Sequence, residues 1–227
     1  MPSLPSGSSG KSSPWPGSVN RRSFRALAIA VALGLLASSW SCGPGNSRAA
    51  RPTAGTTVVA FGDSLVAGRG APSGRDFVSV LSERLGVPII NAGHSGDTTR
   101  AALARLDSDV LSRDPRIAIV LLGGNDYLRR VPIEETFANL TTIVDEIRSR
   151  GAAVLLVGVS VGLLSDPYAA RYESLARQTT AALVPDILGG IIGHGDLMSD
   201  TIHPNEQGYG IMADRLEPVL RDLLSED

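Results

Sequence analysis

Cysteine is almost absent from this chain. Of 227 residues only Cys42 carries a thiol, so no intramolecular disulfide can form and no Cys/His cluster has zinc spacing. Histidine is nearly as scarce: His94, His194 and His203 are the whole supply, so histidine chemistry rests on one of three residues. Aromatic residues make up 4%, too few for platforms that stack single-stranded bases. Net charge is small as well. The 21 Lys and Arg face 23 Asp and Glu, a formal balance of −2 that offers no electrostatic case for nucleic acid. What remains, 43% hydrophobic and 19% charged, suits one globular domain with a real core and extra sequence at one end.

The extra sequence is amino-terminal. Residues 1–20 are rich in Ser, Pro and Gly. Arg21-Arg22-Ser23-Phe24-Arg25 then precedes an apolar run, Ala26 to Ala37, too short and too rich in alanine and glycine for a comfortable transmembrane span. Basic residues before a short apolar segment make an export signal, and the Arg-Arg-x-Phe order resembles a twin-arginine signal. Cys42, after Ser41, resembles a bacterial lipoprotein cleavage site, although Ser39 and Trp40 depart from that motif. The alternatives are a lipid-anchored protein and a soluble periplasmic or secreted one cleaved nearby. Residues 1–42 are thus expected to be the signal, 43–55 a linker and 56–227 the domain.

Within the domain, short apolar β-branched runs alternate with segments of helical spacing. Thr57 to Phe61 is a strand that stops at Gly62-Asp63-Ser64, a tight turn with a capping residue, and Leu65 to Asp76 follows as a Gly/Pro-rich loop. Phe77 to Leu85 is a helix stopped by Gly86, and Val87 to Asn91 an edge strand, because Pro88 cannot donate to a ladder. Thr98 to Leu111 reads as one helix. Ile117 to Leu122 is apolar on both faces and so central. Ile133 to Arg150 is an amphipathic helix, Ala153 to Val159 a second central strand, and Pro167 to Leu183 a helix. Asp186 to Ile192 is expected to be the last strand and Asn205 to Leu224 the closing helix. About five alternations imply a parallel sheet covered by helices on both faces, a three-layer α/β/α sandwich.

Four polar loops stand out: Gly62-Asp63-Ser64, Asn91 to Asp97, Gly123-Gly124-Asn125-Asp126, and Asp200-Thr201-Ile202-His203-Pro204-Asn205. The first three follow strands, and post-strand loops of a parallel sheet share one edge, where such sheets bind ligands. Acyl transfer needs a nucleophile, a base, an orienter for the base and donors for the oxyanion. Ser64 can supply the first, His203 the second and Asp200, three residues earlier, the third. The backbone N–H groups of Ser64 and Gly96 and the neutral amide of Asn125 can supply the donors.

These four blocks, in this order, resemble the GDSL, or SGNH, hydrolase family over roughly residues 57–222, and most closely its thioesterase I/lysophospholipase and arylesterase branch. The resemblance implies a flavodoxin-like five-stranded sheet in the order 2-1-3-4-5. It implies Ser64, Asp200 and His203 as a catalytic triad and Ser64, Gly96 and Asn125 as an oxyanion hole. It implies no metal and no organic cofactor. Tyr127-Leu128-Arg129-Arg130 makes the loop beside the acyl pocket bulkier and more basic than that branch often carries. The expected activity is hydrolysis of small-molecule acyl esters, with thioesters and lysophospholipids as further substrates, by a monomer. The alternatives are a carbohydrate O-acetylesterase and a catalytically inactive lipid- or glycan-binding module.

Several residues have rival readings. Gly158-Val159-Ser160-Val161-Gly162 fits the nucleophile elbow of α/β-hydrolases, but no helix follows directly and two β-branched valines suit a strained turn poorly. Asp63, His94 and Tyr127 are expected to border the substrate; Asp63 also reads as a cap and His94 as an exposed loop residue. Asp196 is a minor alternative to Asp200, and His194 lies in a turn. Arg129 and Arg130 could meet an anionic leaving group or merely be solvated. The sequon Asn139-Leu140-Thr141 falls inside a helix and is discounted.

Overall fold

Three apolar runs are hydrophobic on both faces and pair as buried central parallel strands, with a less buried strand at each edge of the sheet. The structure, a computed structural model, describes residues 49–160 and 166–225. The strands are β1 (Thr57–Gly62), β2 (Ile89–Gly93), β3 (Pro115–Leu121), β4 (Ala153–Val157) and β5 (Ala182–Val184), in the order β2-β1-β3-β4-β5. Successive residues feed opposite faces. Val58 and Ala60 of β1 and Ile117, Ile119 and Leu121 of β3 pack in one apolar layer with residues of α1 (Phe77–Leu85) and α7 (Glu206–Leu224). Val59, Phe61, Ala118 and Val120 face the other layer, shared with α5 (Ile133–Ser149) and α6 (Pro167–Thr179). The expected three-layer sandwich and flavodoxin-like order are therefore present.

The helices begin and end where local chemistry dictates. Asp76 accepts the Ser79 N–H at the start of α1, and Gly86 (φ 66°) ends it. Asp166 caps α6 ahead of Pro167, and Asn205 caps α7 by accepting from Gln207 and Gly208. Residues 50–56, the end of the expected linker, are fastened along the amino edge of the sheet. There the N–H groups of Ala50, Thr53 and Thr56 donate to the carbonyls of Thr180, Gly151 and Asp114.

Several expectations are corrected. The helix expected over 98–111 is broken at Arg105 into α2 (Thr99–Ala104), α3 (Leu106–Asp109) and a 3-10 turn at Leu111–Arg113. The helix expected to reach Leu183 stops at Thr179, where Thr180 takes a left-handed φ of 50°. The last strand is consequently Ala182–Val184, and 186–192 forms bends and turns. The expected Gly/Pro-rich loop after the Gly-Asp-Ser turn is present, and residues 64–70 are consecutive turns. Strand β2 begins two residues later than expected, and β4 ends two residues earlier. Finally, Gly124–Leu128 is a short helix, α4, rather than an open loop.

Gly62 shows how tightly the edge of the sheet is packed. A Cβ there would meet the Leu121 carbonyl and the Val66 side chain, and neither has room to move. Gly62→Ala is therefore expected to destabilise the domain by about 1–3 kcal/mol in urea unfolding, through overpacking. An unchanged midpoint would contradict this reading of the turn.

Candidate active site

The parallel register sets the ends of the strands in a single row. Gly93 pairs with Gly62, Gly62 with Leu121, Leu121 with Val157 and Val157 with Val184. Each polar loop that follows a strand leaves from this row, on one edge of the sheet. Ser64 sits two residues past β1, in a turn that Asp63 closes: its carbonyl accepts the Ala67 N–H and its carboxylate the Leu65 N–H. The loop before α7 is closed by an antiparallel bridge between Met198 and Pro204, with the Ser199 N–H on the His203 carbonyl. That closure folds Asp200 back on His203. One Asp200 oxygen accepts the backbone N–H groups of Ile202 and His203 at 2.9 and 2.8 Å.

The three side chains form a chain of hydrogen bonds. His203 Nε2 lies 3.0 Å from Ser64 Oγ, and Nδ1 lies 2.8 Å from Asp200 Oδ2. With the proton on Nδ1, the ring donates to Asp200 and accepts from the Ser64 hydroxyl. Ser64 and His203 are buried at 8% and 7% exposure, whereas the Asp200 side chain is 46% exposed. The His203 ring, helped by the two backbone N–H groups, holds the Asp200 carboxyl down to about 2, so it is ionised at neutral pH.

A second carboxylate, this one buried, underlies the serine. Asp63 Oδ2 accepts the Asn125 amide at 3.1 Å, and that amide also donates to the Asp97 carbonyl at 3.0 Å. Burial pushes the Asp63 carboxyl up to about 6, against the lowering pull of the Leu65 N–H, His203 and Asn125. The backbone N–H groups of Ser64 and Gly96 find no protein acceptor among the described residues. Gly96 (φ 87°) has its carbonyl held by Arg129 Nη2 at 2.8 Å. Asp126 is wholly buried and accepts both the N–H and the hydroxyl of Thr99. It fastens α2 to α4, a role that nothing in the sequence reading anticipated.

Asp63, Ser64, Asn125, Tyr127, Ser160 and His203 line one cavity of about 420 Å³. Its remaining wall is largely aliphatic, with Leu65, Leu128, Val159, Leu188, Ile192 and Ile202. Leu188 and Ile192 come from the segment expected to be a strand. Among the described residues, the exposed large hydrophobics are Tyr127, Leu128, Ile192 and Ile202, and all four stand at this cavity. No arginine lines it, and among the described residues no group of three or more His, Cys, Asp or Glu could hold a metal ion.

Other sequence candidates lie elsewhere. His94 does not reach the cavity: its N–H is held by the Gly62 carbonyl and its exposed ring leans toward Asp109, Nε2 to Oδ2 3.6 Å. Asp196 sits in a 3-10 turn with its carbonyl on the Asn205 amide, and His194 precedes that turn. Ser160 lines the cavity, but His203 already faces Ser64 and the Ser160 N–H donates to Asp186. Residues 161–165 lie outside the described residues, and the first described helix after Ser160, α6, begins at Pro167. Tyr127 stands at the cavity against Tyr168, edge to face.

A 2-1-3-4-5 parallel sheet with helices on both faces is the architecture of SGNH hydrolases. Within that class the chain belongs to the GDSL-like lipase/acylhydrolase family, whose sequence pattern matches residues 60–211, and membership supports ester hydrolysis. It is 32% identical to the esterase TesA of Pseudomonas aeruginosa over 182 residues, covering 75% of this chain and 90% of that one. It is 29% identical to the thioesterase 1/protease 1/lysophospholipase L1 of Escherichia coli K12 over 185 residues, covering 78% and 89%. The crystal structure of TesA superposes with a TM-score of 0.70 at 32% identity, covering 74% of this chain and all of that one.

The raised carboxyl of Asp63 has a consequence for stability. A carboxyl whose folded value is about 6 against 3.8 ordinarily leaves the folded state most favoured at acid pH, and that advantage is lost as pH rises through about 6. Asp63→Asn removes this dependence. Between pH 4 and pH 7 the stability difference between wild type and variant is expected to move by about 2 kcal/mol in favour of the variant, read from urea unfolding at both values. A difference independent of pH would mean that Asp63 titrates normally.

Proposed function

We propose that this protein is a serine esterase that acts through an acyl-enzyme on Ser64. The observation that carries the reading is the continuous hydrogen-bond chain from Ser64 Oγ through His203 to Asp200, at 3.0 and 2.8 Å. Ser64 Oγ attacks the acyl carbonyl carbon while His203 Nε2 takes its proton. The tetrahedral intermediate collapses as the same nitrogen returns that proton to the leaving alcohol or thiol. Water repeats the cycle on the acyl-enzyme. Asp200 keeps the Nδ1–H tautomer and stabilises the imidazolium. The oxyanion is met by the unpaired N–H groups of Ser64 and Gly96. Asn125 joins them by sharing a hydrogen that rests on Asp63 or Asp97 between turnovers.

The lining supports a neutral aliphatic acyl group. The cavity is walled by leucine, isoleucine and valine, and its ionisable lining residues besides Tyr127 and His203 are the carboxyls Asp63 and Asp186, so an anionic acyl group would meet repulsion. Simple acyl esters fit this wall, with thioesters and lysophospholipids as finer substrates of the same chemistry. Ser64→Ala is expected to lower turnover of p-nitrophenyl butyrate about a thousandfold or more, while Ser160→Ala stays within a few-fold of wild type. The reverse pattern would overturn the assignment.

We further propose that residues 1–42 export the protein from a bacterial cell. The paired arginines and Cys42 lie outside the described residues. Mass spectrometry of the mature amino terminus is expected to show cleavage near Cys42, with either a diacylglyceryl cysteine or an unmodified end. An uncleaved Met1 would contradict export through this segment.

A further inference from the structure

Arg105 is the place where the expected long helix breaks, and its side chain gives the reason. The side chain is 13% exposed and reaches from the junction of α2 and α3 into the edge of the sheet. Nε donates to Asp97 Oδ2 at 2.6 Å, Nη2 to the Gly62 carbonyl at 2.9 Å, and Nη1 to the Ala92 carbonyl and Asp109 Oδ2 at 3.0 and 2.8 Å. The guanidinium carbon lies 4.4 Å from the centroid of the Phe61 ring. Only a planar fork of fixed donors spans these acceptors together; an ammonium cannot.

Two of the contacts lead straight to the oxyanion donors. Gly62 is the last residue of β1, and the turn that carries Ser64 begins with the residue after it. Asp97 follows Gly96, and its own carbonyl accepts the Asn125 amide at 3.0 Å. A single guanidinium therefore fixes the turn of Ser64, the loop of Gly96 and the acceptor that orients Asn125. We infer that Arg105 is the positioning residue of the oxyanion hole, acting through Gly62 and Asp97 without touching substrate. The inference rests on the acyl-transfer reading given above. Its chemical consequence is selective: ground-state binding in the aliphatic cavity is left alone, and the misaligned donors fail only when charge builds on the carbonyl oxygen.

The test uses Arg105→Lys and the milder Asp97→Asn, which keeps the Asp97 carbonyl and the shape of the loop. Both are assayed with p-nitrophenyl butyrate at a temperature where thermal melts show them folded. For Arg105→Lys kcat is expected to fall about 10–100-fold with KM within threefold. Asp97→Asn should fall in the same sense by a smaller factor. Affinity for an aliphatic trifluoromethyl ketone, which forms the tetrahedral oxyanion on the serine, should drop in step with kcat. A rise in KM alone, or kcat and ketone affinity both within twofold of wild type for the folded variants, would overturn the inference. Ser64→Ala in the same assay separates the two claims. If that variant turns over normally, the acyl-transfer reading falls. If it is inactive while Arg105→Lys is wild-type, the positioning role alone falls.

Discussion

The register of the parallel sheet is the constraint on which the site depends. Because Gly93, Gly62, Leu121, Val157 and Val184 share one row, the loops that follow them leave the sheet at one height. A slip of one residue in β1 would turn its side chains to the opposite faces and carry Ser64 out of line with its partners. The sheet resists a slip because both faces of β1 are packed, and because Gly62 fits against the Leu121 carbonyl with no room for a side chain. Apolar packing thus determines where a polar hydroxyl stands relative to a histidine 139 positions along the chain.

Above that row the site is held by charge and hydrogen bonds rather than by packing. Two carboxylates, Asp63 and Asp126, are buried, and each is surrounded by donors: Leu65 and Asn125 for the first, Thr99 for the second. Burial still raises the Asp63 carboxyl to about 6, so the folded state carries a destabilising anion at neutral pH directly beneath the serine. Strain of this kind is common where a group must be oriented for chemistry, and the rest of the core offsets it. Arg105 and Arg129 complete the frame by fastening the carbonyls of Gly62, Ala92 and Gly96.

Most of this was legible because the relevant signals are local. Apolar β-branched runs marked β1, β3 and β4, glycine and asparagine marked the loops, and the four motif blocks named Ser64, Asn125, Asp200 and His203. What could not be read depends on contacts between distant residues. The break in the helix at Arg105 has no breaker residue; the guanidinium is drawn to the sheet edge instead. The end of α6 falls on Thr180, a left-handed threonine where a glycine would have signalled a stop, so the helix seemed to run on through β5. His94 sits in a motif loop, yet the Gly62 carbonyl turns its backbone so that the ring faces Asp109. The cavity wall from Leu188 to Ile192 is apolar enough to mimic a strand, because lining a cavity and lining a core call for the same residues.

The central claim is that the Ser64 hydroxyl, activated by His203, forms the covalent intermediate. The most direct measurement is to treat the protein with an alkyl fluorophosphonate, digest it, and map the adduct by tandem mass spectrometry. The account predicts one phosphonyl group per chain, on Ser64. An adduct on Ser160, or no adduct on a protein that still hydrolyses esters, would contradict it.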